Sequence, residues 1–202
     1  RKRLWMRGLI KDELGYDGDI LFGGHHESHA ASTFYASPFK EAAILTVDGV
    51  GEWNTTTWGI ADENGIELRN SIDFPHSIGL LYSAFTYYLG FKVNNGEYKV
   101  MGLASYGDPK YADLIRDELI DIKDDGSFRL NMNYFNYLGK LRMINDDFEE
   151  LFGYSRREPD SDIEEHHFDI AASVQKITEE ILLKLANDLY DKTDKKYLCM
   201  AG

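Results

Sequence analysis

The chain has 202 residues and a formal net charge of −13. That length supports one sizeable core, and the acidity argues against nonspecific binding of nucleic acid or anionic membrane, which both need a basic face. Cys199 is the only cysteine, which excludes an internal disulfide framework and a thiolate zinc knuckle.

Residues 1–18 are charged and weakly periodic, reading as a helix remnant and a turn. A short strand is expected over 19–23. His29, Ala30, Thr33, Phe34 and Ser37 fall at three- and four-residue spacing, which predicts a helix over 25–37 ended by Pro38. Residues 42–47 (AAILTV) form a continuous apolar run, as in a strand covered on both faces. The run ends in the glycine turn Asp48–Gly49–Val50–Gly51–Glu52. The β-rich runs 55–61 and 66–72 flank Asn64–Gly65, a strong hairpin signal. Three consecutive antiparallel strands are therefore expected.

Residues 77–89 predict a helix closed by Gly90, followed by a turn at Asn94–Asn95–Gly96. The stretch 98–106 is mixed and glycine-containing. Asp108–Pro109 opens a helix over about 110–119. Residues 121–160 are polar and are expected to form a peripheral insertion, with a strand near 128–132. The clearest helix spans 168–190, where Ala171, Val174, Ile177, Ile181, Leu185 and Leu189 make one apolar stripe. Lys195–Lys196 leads into a last strand and Gly202. The fold class is α/β, a mixed sheet with flanking helices. No apolar run approaches the roughly 18 residues of a membrane-spanning helix, and the first residues lack the apolar centre of a secretory leader. A cytoplasmic protein is expected.

Three groups of residues can carry chemistry. His25 and His29 are four apart, so on a helix both imidazoles can reach one ion. The alternative is a helix start whose histidines cap or face solvent. Three of the six histidines fall within five residues, which weakens that alternative. A zincin protease is ruled out, because Ala30 stands where a second histidine would follow His26–Glu27. Asp48 ends a buried strand, where its carboxylate projects into the crevice that binds ligands in open α/β sheets. It could be a third, anionic ligand beside His25 and His29, or it could belong to an ordinary Asp-Gly turn. Gly49 and Gly51 would let backbone N–H groups approach a phosphate. Glu97 and Lys99 lie among glycines and read either as a turn with a weak surface ion pair or as a pair that binds an anionic group.

HHESHAASTFYASPF from residue 25, LTVDGVGEW from 45, GEYKVMGLASYG from 96, DIAASVQ from 169 and YLCMAG from 197 resemble, in order and spacing, the NodU/CmcH-type O-carbamoyltransferases. Kae1/TsaD and HypF proteins share the HxxxH pair but resemble this chain less, and Kae1-type proteins lack the DGxGE and MGLAxYG wording. The resemblance implies a Kae1-like domain of the actin/Hsp70 ATPase type, incomplete at both ends over residues 1–202. A YrdC-like domain is expected in the same full-length chain. That domain makes carbamoyl-adenylate from carbamoyl phosphate and ATP. The Kae1-like domain passes the carbamoyl group to a hydroxyl of a small acceptor. The resemblance assigns His25, His29 and Asp48 to a divalent metal, iron in relatives, and a further Asp ligand beyond Gly202. It assigns Gly49, Gly51 and Glu52 to the nucleotide-phosphate loop, and Glu97 and Lys99 to the transfer site. A base must take the hydroxyl proton; the sequence does not name it, and His26 or a residue outside the chain could serve. No nucleic-acid or membrane partner is implied, and a homodimer is compatible with it. The competing expectations are a threonylcarbamoyl or hydrogenase-maturation enzyme, and a non-catalytic actin-like nucleotide-binding module.

Overall fold

A computed structural model describes residues 5–139 and 142–202. Helix α1 (Met6–Leu14) buries none of its residues. The expected strand over 19–23 is absent: Leu21 and Phe22 are exposed and no described strand lies beside them to pair. Helix α2 (His25–Phe34) follows, then strands β1 (Ala42–Gly51), β2 (Asn54–Asp62) and β3 (Gly65–Asp73). The β2–β3 turn uses the Asn64–Gly65 signal, with Gly65 at a φ of 122°, a conformation glycine adopts without strain.

Helix α3 (Ile78–Tyr88) is capped by the Ser77 hydroxyl, which accepts from the Leu80 N–H. The mixed stretch after the next turn is a helix, α4 (Glu97–Ala104). A short α5 (Ala112–Leu114) continues as a π turn over Ile115–Leu119. The hairpin β4 (Ile120–Ile122) and β5 (Phe128–Leu130) and the helix α6 (Asp146–Phe152) follow. The long helix α7 (Glu165–Thr193) leads into β6 (Leu198–Ala201).

The sheet order is β3-β2-β1-β6, with β1–β2 and β2–β3 antiparallel and β1–β6 parallel. It is therefore the expected mixed sheet flanked by helices. Side chains alternate along β1, as strand geometry requires. Ala42 and Ile44 pack with Ala30 and Phe34 of α2 and with Cys199. Ala43 and Leu45 join a larger core with α3 and the α7 stripe. Within 121–160, Phe128, Leu130, Phe135, Ile144, Phe148 and Phe152 belong to that same core. No described helix is long and apolar enough to cross a membrane.

Candidate metal centre

The β1–β2 ladder breaks between Val47 and Gly51. Such a bulge re-aims side chains at a strand end, and here it turns Asp48 toward the start of α2. The helical spacing of His25 and His29 puts both rings on the same side of α2. The Nε2 of His25 contacts Oδ2 of Asp48 directly. The Nε2 of His29 lies 3.0 Å from the His25 Nε2 and 3.3 Å from the same Asp48 oxygen. Donors bound about 2.1 Å from one ion are themselves about 3.0–3.4 Å apart, so the two spacings from His29 are those of a coordination edge, while the His25–Asp48 contact is closer than one. Hydrogen bonding alone serves this cluster poorly, because two imidazole nitrogens and a carboxylate oxygen meet at one point and each neutral ring carries one proton. Two imidazoles and a carboxylate suit iron, zinc or manganese, and these three residues can hold such an ion.

The surroundings fix the three donors. The second oxygen of Asp48, Oδ1, accepts from the Gly49 N–H at 2.6 Å. Burial pulls the Asp48 carboxyl upward, but His25, the Gly49 N–H and His29 outweigh it and hold the carboxyl below its ordinary range. The anionic form that a metal needs is thereby favoured. Gly51 leaves room for His25: a Cβ there would lie 2.1 Å from the ring's Cδ2. The Ser77 hydroxyl donates to the Gly49 carbonyl at 2.6 Å. Gly79 lets α3 close on the loop, since a Cβ there would lie 2.7 Å from the Asp48 carbonyl. Neither Ser77 nor Gly79 was identified from sequence.

His26 is not placed to serve as a base. It is buried against the sheet, where its Nε2–H donates to the Asn54 carbonyl at 2.9 Å. Its Nδ1 pairs with the Thr46 hydroxyl at 2.6 Å, which pairs in turn with the Thr57 hydroxyl. Both ring nitrogens are occupied, so His26 pins α2 to β1 and β2.

Two clefts meet at the cluster. One, of about 700 Å³, is bordered by Asp48, Gly49, Gly79, Glu97, Gln175 and Gly202 among others. The other, of about 350 Å³, is bordered by His25, Gly51, Glu52 and Arg69. The three residues assigned to a phosphate loop thus divide, Gly49 on one side and Gly51 with Glu52 on the other. Glu97 begins α4 and accepts from the Ser83 hydroxyl and from the Asn94 and Gly96 N–H groups. Burial pulls Glu97 upward, but these bonds hold it below its ordinary range. Lys99 is exposed, with its Nζ 5.6 Å from the Phe91 ring centroid, and it does not border either cleft.

A family model described as carbamoyltransferase N-terminus matches residues 8–202. The chain is 52% identical to the uncharacterized protein sll1178 of Synechocystis, over 100% of this chain and 34% of that protein. It is 33% identical to nodulation protein NolNO of Sinorhizobium fredii, over 99% of this chain and 28% of that one. It is 30% identical to nodulation protein NolO of Bradyrhizobium diazoefficiens, over 88% and 30%. The chain thus spans about a third of the length of these relatives.

Proposed function

We propose that this chain, which belongs to the carbamoyltransferase N-terminus family, carries the metal-binding part of an enzyme that moves a carbamoyl group from carbamoyl-adenylate to a hydroxyl of a small acceptor. The observation that carries this reading is the convergence of one donor atom each from His25, His29 and Asp48 to within 4.8 Å of one another, beside two open clefts. The fold around them is read as one lobe of an actin/Hsp70-like, Kae1-like domain. The adenylate is read as made from carbamoyl phosphate and ATP by a YrdC-like domain of the full-length protein.

In this transfer the acceptor oxygen bonds to the carbamoyl carbon, and the bond from that carbon to the adenylate phosphate breaks. AMP leaves with the electron pair, and the hydroxyl proton passes to the leaving phosphate or to a general base. A divalent metal, iron by family resemblance, supplies charge neutralisation at the anionic oxygens of the donor when bound. The chain's own residues supply geometry. Asp48 is oriented by the Gly49 N–H, Ser77 fixes that loop, and Gly51 admits the His25 ring. Backbone donors of the glycine turn favour an oxyanion. Glu97, held ionised at the cleft wall, is read as a positioning residue for the acceptor.

The test replaces His25→Ala and His29→Ala in the full-length protein. Bound metal is expected to fall below one equivalent, and carbamoyl transfer to drop by at least about a hundredfold. Unchanged metal content with intact transfer would sink the metal-assisted reading.

A further inference from the structure

A second hollow, of about 430 Å³, lies away from the metal cluster between the end of β3 and β5. Its walls carry Arg129, Lys123, His76 and one carboxylate, Asp73, beside the apolar Ile72, Phe74, Pro75 and Phe128. The acidic groups nearby have hydrogen-bond or ion-pair partners of their own. Asp73 accepts from the Asn54 amide and the Ser71 hydroxyl. Asp125 accepts from Ser127, and Asp121 pairs with Lys123 at the rim. Arg129 has no carboxylate within ion-pair distance among the described residues, although the chain carries a net charge of −13. The Nδ1 of His76 accepts from the Leu130 N–H at 3.1 Å. The ring proton therefore sits on Nε2, and no described residue accepts it. Burial first, and the Arg129 charge second, hold His76 below its ordinary range.

We propose that this hollow binds a small molecule bearing a phosphate or carboxylate group, gripped by Arg129 with the His76 Nε2–H as a second donor, while Lys123 at the rim stays paired with Asp121 and adds only a more distant charge. A guanidinium meets an oxyanion through two parallel N–H bonds. The aromatic and proline walls fit the carbon skeleton of such a molecule, and the volume exceeds that of a bare ion. Ser71 also borders the cleft beside His25, the one wall residue that the two hollows share.

The experiment titrates the protein with inorganic pyrophosphate in one arm and citrate in the other. Heat of binding and the His76 ring NMR signals are followed. One arm is expected to saturate and to shift the His76 signals, and which arm does so separates the phosphate source from the carboxylate source. Arg129→Gln, on an exposed side chain, is expected to weaken that binding by about tenfold or more, and Lys123→Gln by less. His25→Ala is expected to leave it unchanged, which separates this hollow from the metal centre. Saturation in neither arm below about 10 mM, or binding insensitive to Arg129→Gln, would overturn the proposal.

Discussion

At Gly51 an added Cβ would sit 2.1 Å from Cδ2 of His25, and at Gly79 an added Cβ would sit 2.7 Å from the Asp48 carbonyl. The two clashes differ in what can yield. The His25 side chain is about 40% exposed and can swing away, at the cost of its aim toward Asp48 and His29. Gly51→Ala is therefore expected to leave the urea midpoint nearly unchanged while metal content falls. A variant that keeps a full equivalent of metal would contradict the packing argument. At Gly79 the obstacle is backbone held by Ser77, and backbone cannot rotate away. Gly79→Ala is expected to destabilise the fold by about 1–3 kcal/mol, read as a lower urea midpoint. His26 adds a third lesson at this scale. Three histidines in one turn of helix divide by which way each faces. Two meet Asp48, and the middle one is tied to Thr46 and the Asn54 carbonyl inside the fold.

The start of α7 is expected to respond to pH through His167. His167 is buried, and its Nδ1 accepts from the Glu164 N–H at 2.8 Å, closing the first turn. Burial, then the charges of His166 and Arg157, push it down to about 4. The unfolded chain protonates this ring near 6.5 while the folded chain keeps it neutral to about 4. Its contribution is whole above about 6.5 and is lost as pH falls toward 4, because the unfolded state binds the proton first. The urea midpoint is expected to fall across that window, and His167→Gln, which keeps an acceptor for the Glu164 N–H, is expected to flatten the fall. An unchanged slope in the variant would assign the response elsewhere. The α7 stripe was legible in sequence because its apolar residues repeat at helical spacing, and the β2–β3 hairpin because Asn64–Gly65 marks it locally. The HxxxH pair and Asp48 were legible for the same reason: each follows from its own element's geometry. What sequence left out is long-range. The Ser77 bond to Gly49, the fit of Gly79 and the His26–Thr46 pair join residues that only the tertiary fold brings together. Helix α4 was hidden by its Gly102, Tyr98 and Val100. It forms because Glu97 takes up the N–H groups before it and α7 receives its inner face.

Across the whole molecule, the cores on the two faces of the sheet are unequal. The face with α3 and α7 holds most of the buried apolar residues. The α2 face holds a small cluster built around Ala30, Phe34, Ile44 and Cys199. Helix α2 is thus fixed mainly by that cluster, by His26, and by whatever joins His25 and His29 to Asp48 on β1. An ion bound by these three residues would clamp a lightly packed helix onto the central strand. Because the unfolded chain does not hold the three donors together, metal binding adds to folding free energy. At a free metal concentration one hundred times the dissociation constant the gain is about 2.7 kcal/mol. For a chain of this size that corresponds to a rise of roughly 5–10 °C in Tm. The rise is expected on adding divalent iron, zinc or manganese to chelator-treated protein. It should disappear in His29→Ala, whose Tm should be the same with metal and with chelator. Amide exchange over α2 should slow on metal addition in the native sequence alone, because the clamp suppresses local opening of this lightly packed helix. Equal metal-induced stabilisation of native protein and His29→Ala would place the ion elsewhere and detach α2 from the centre.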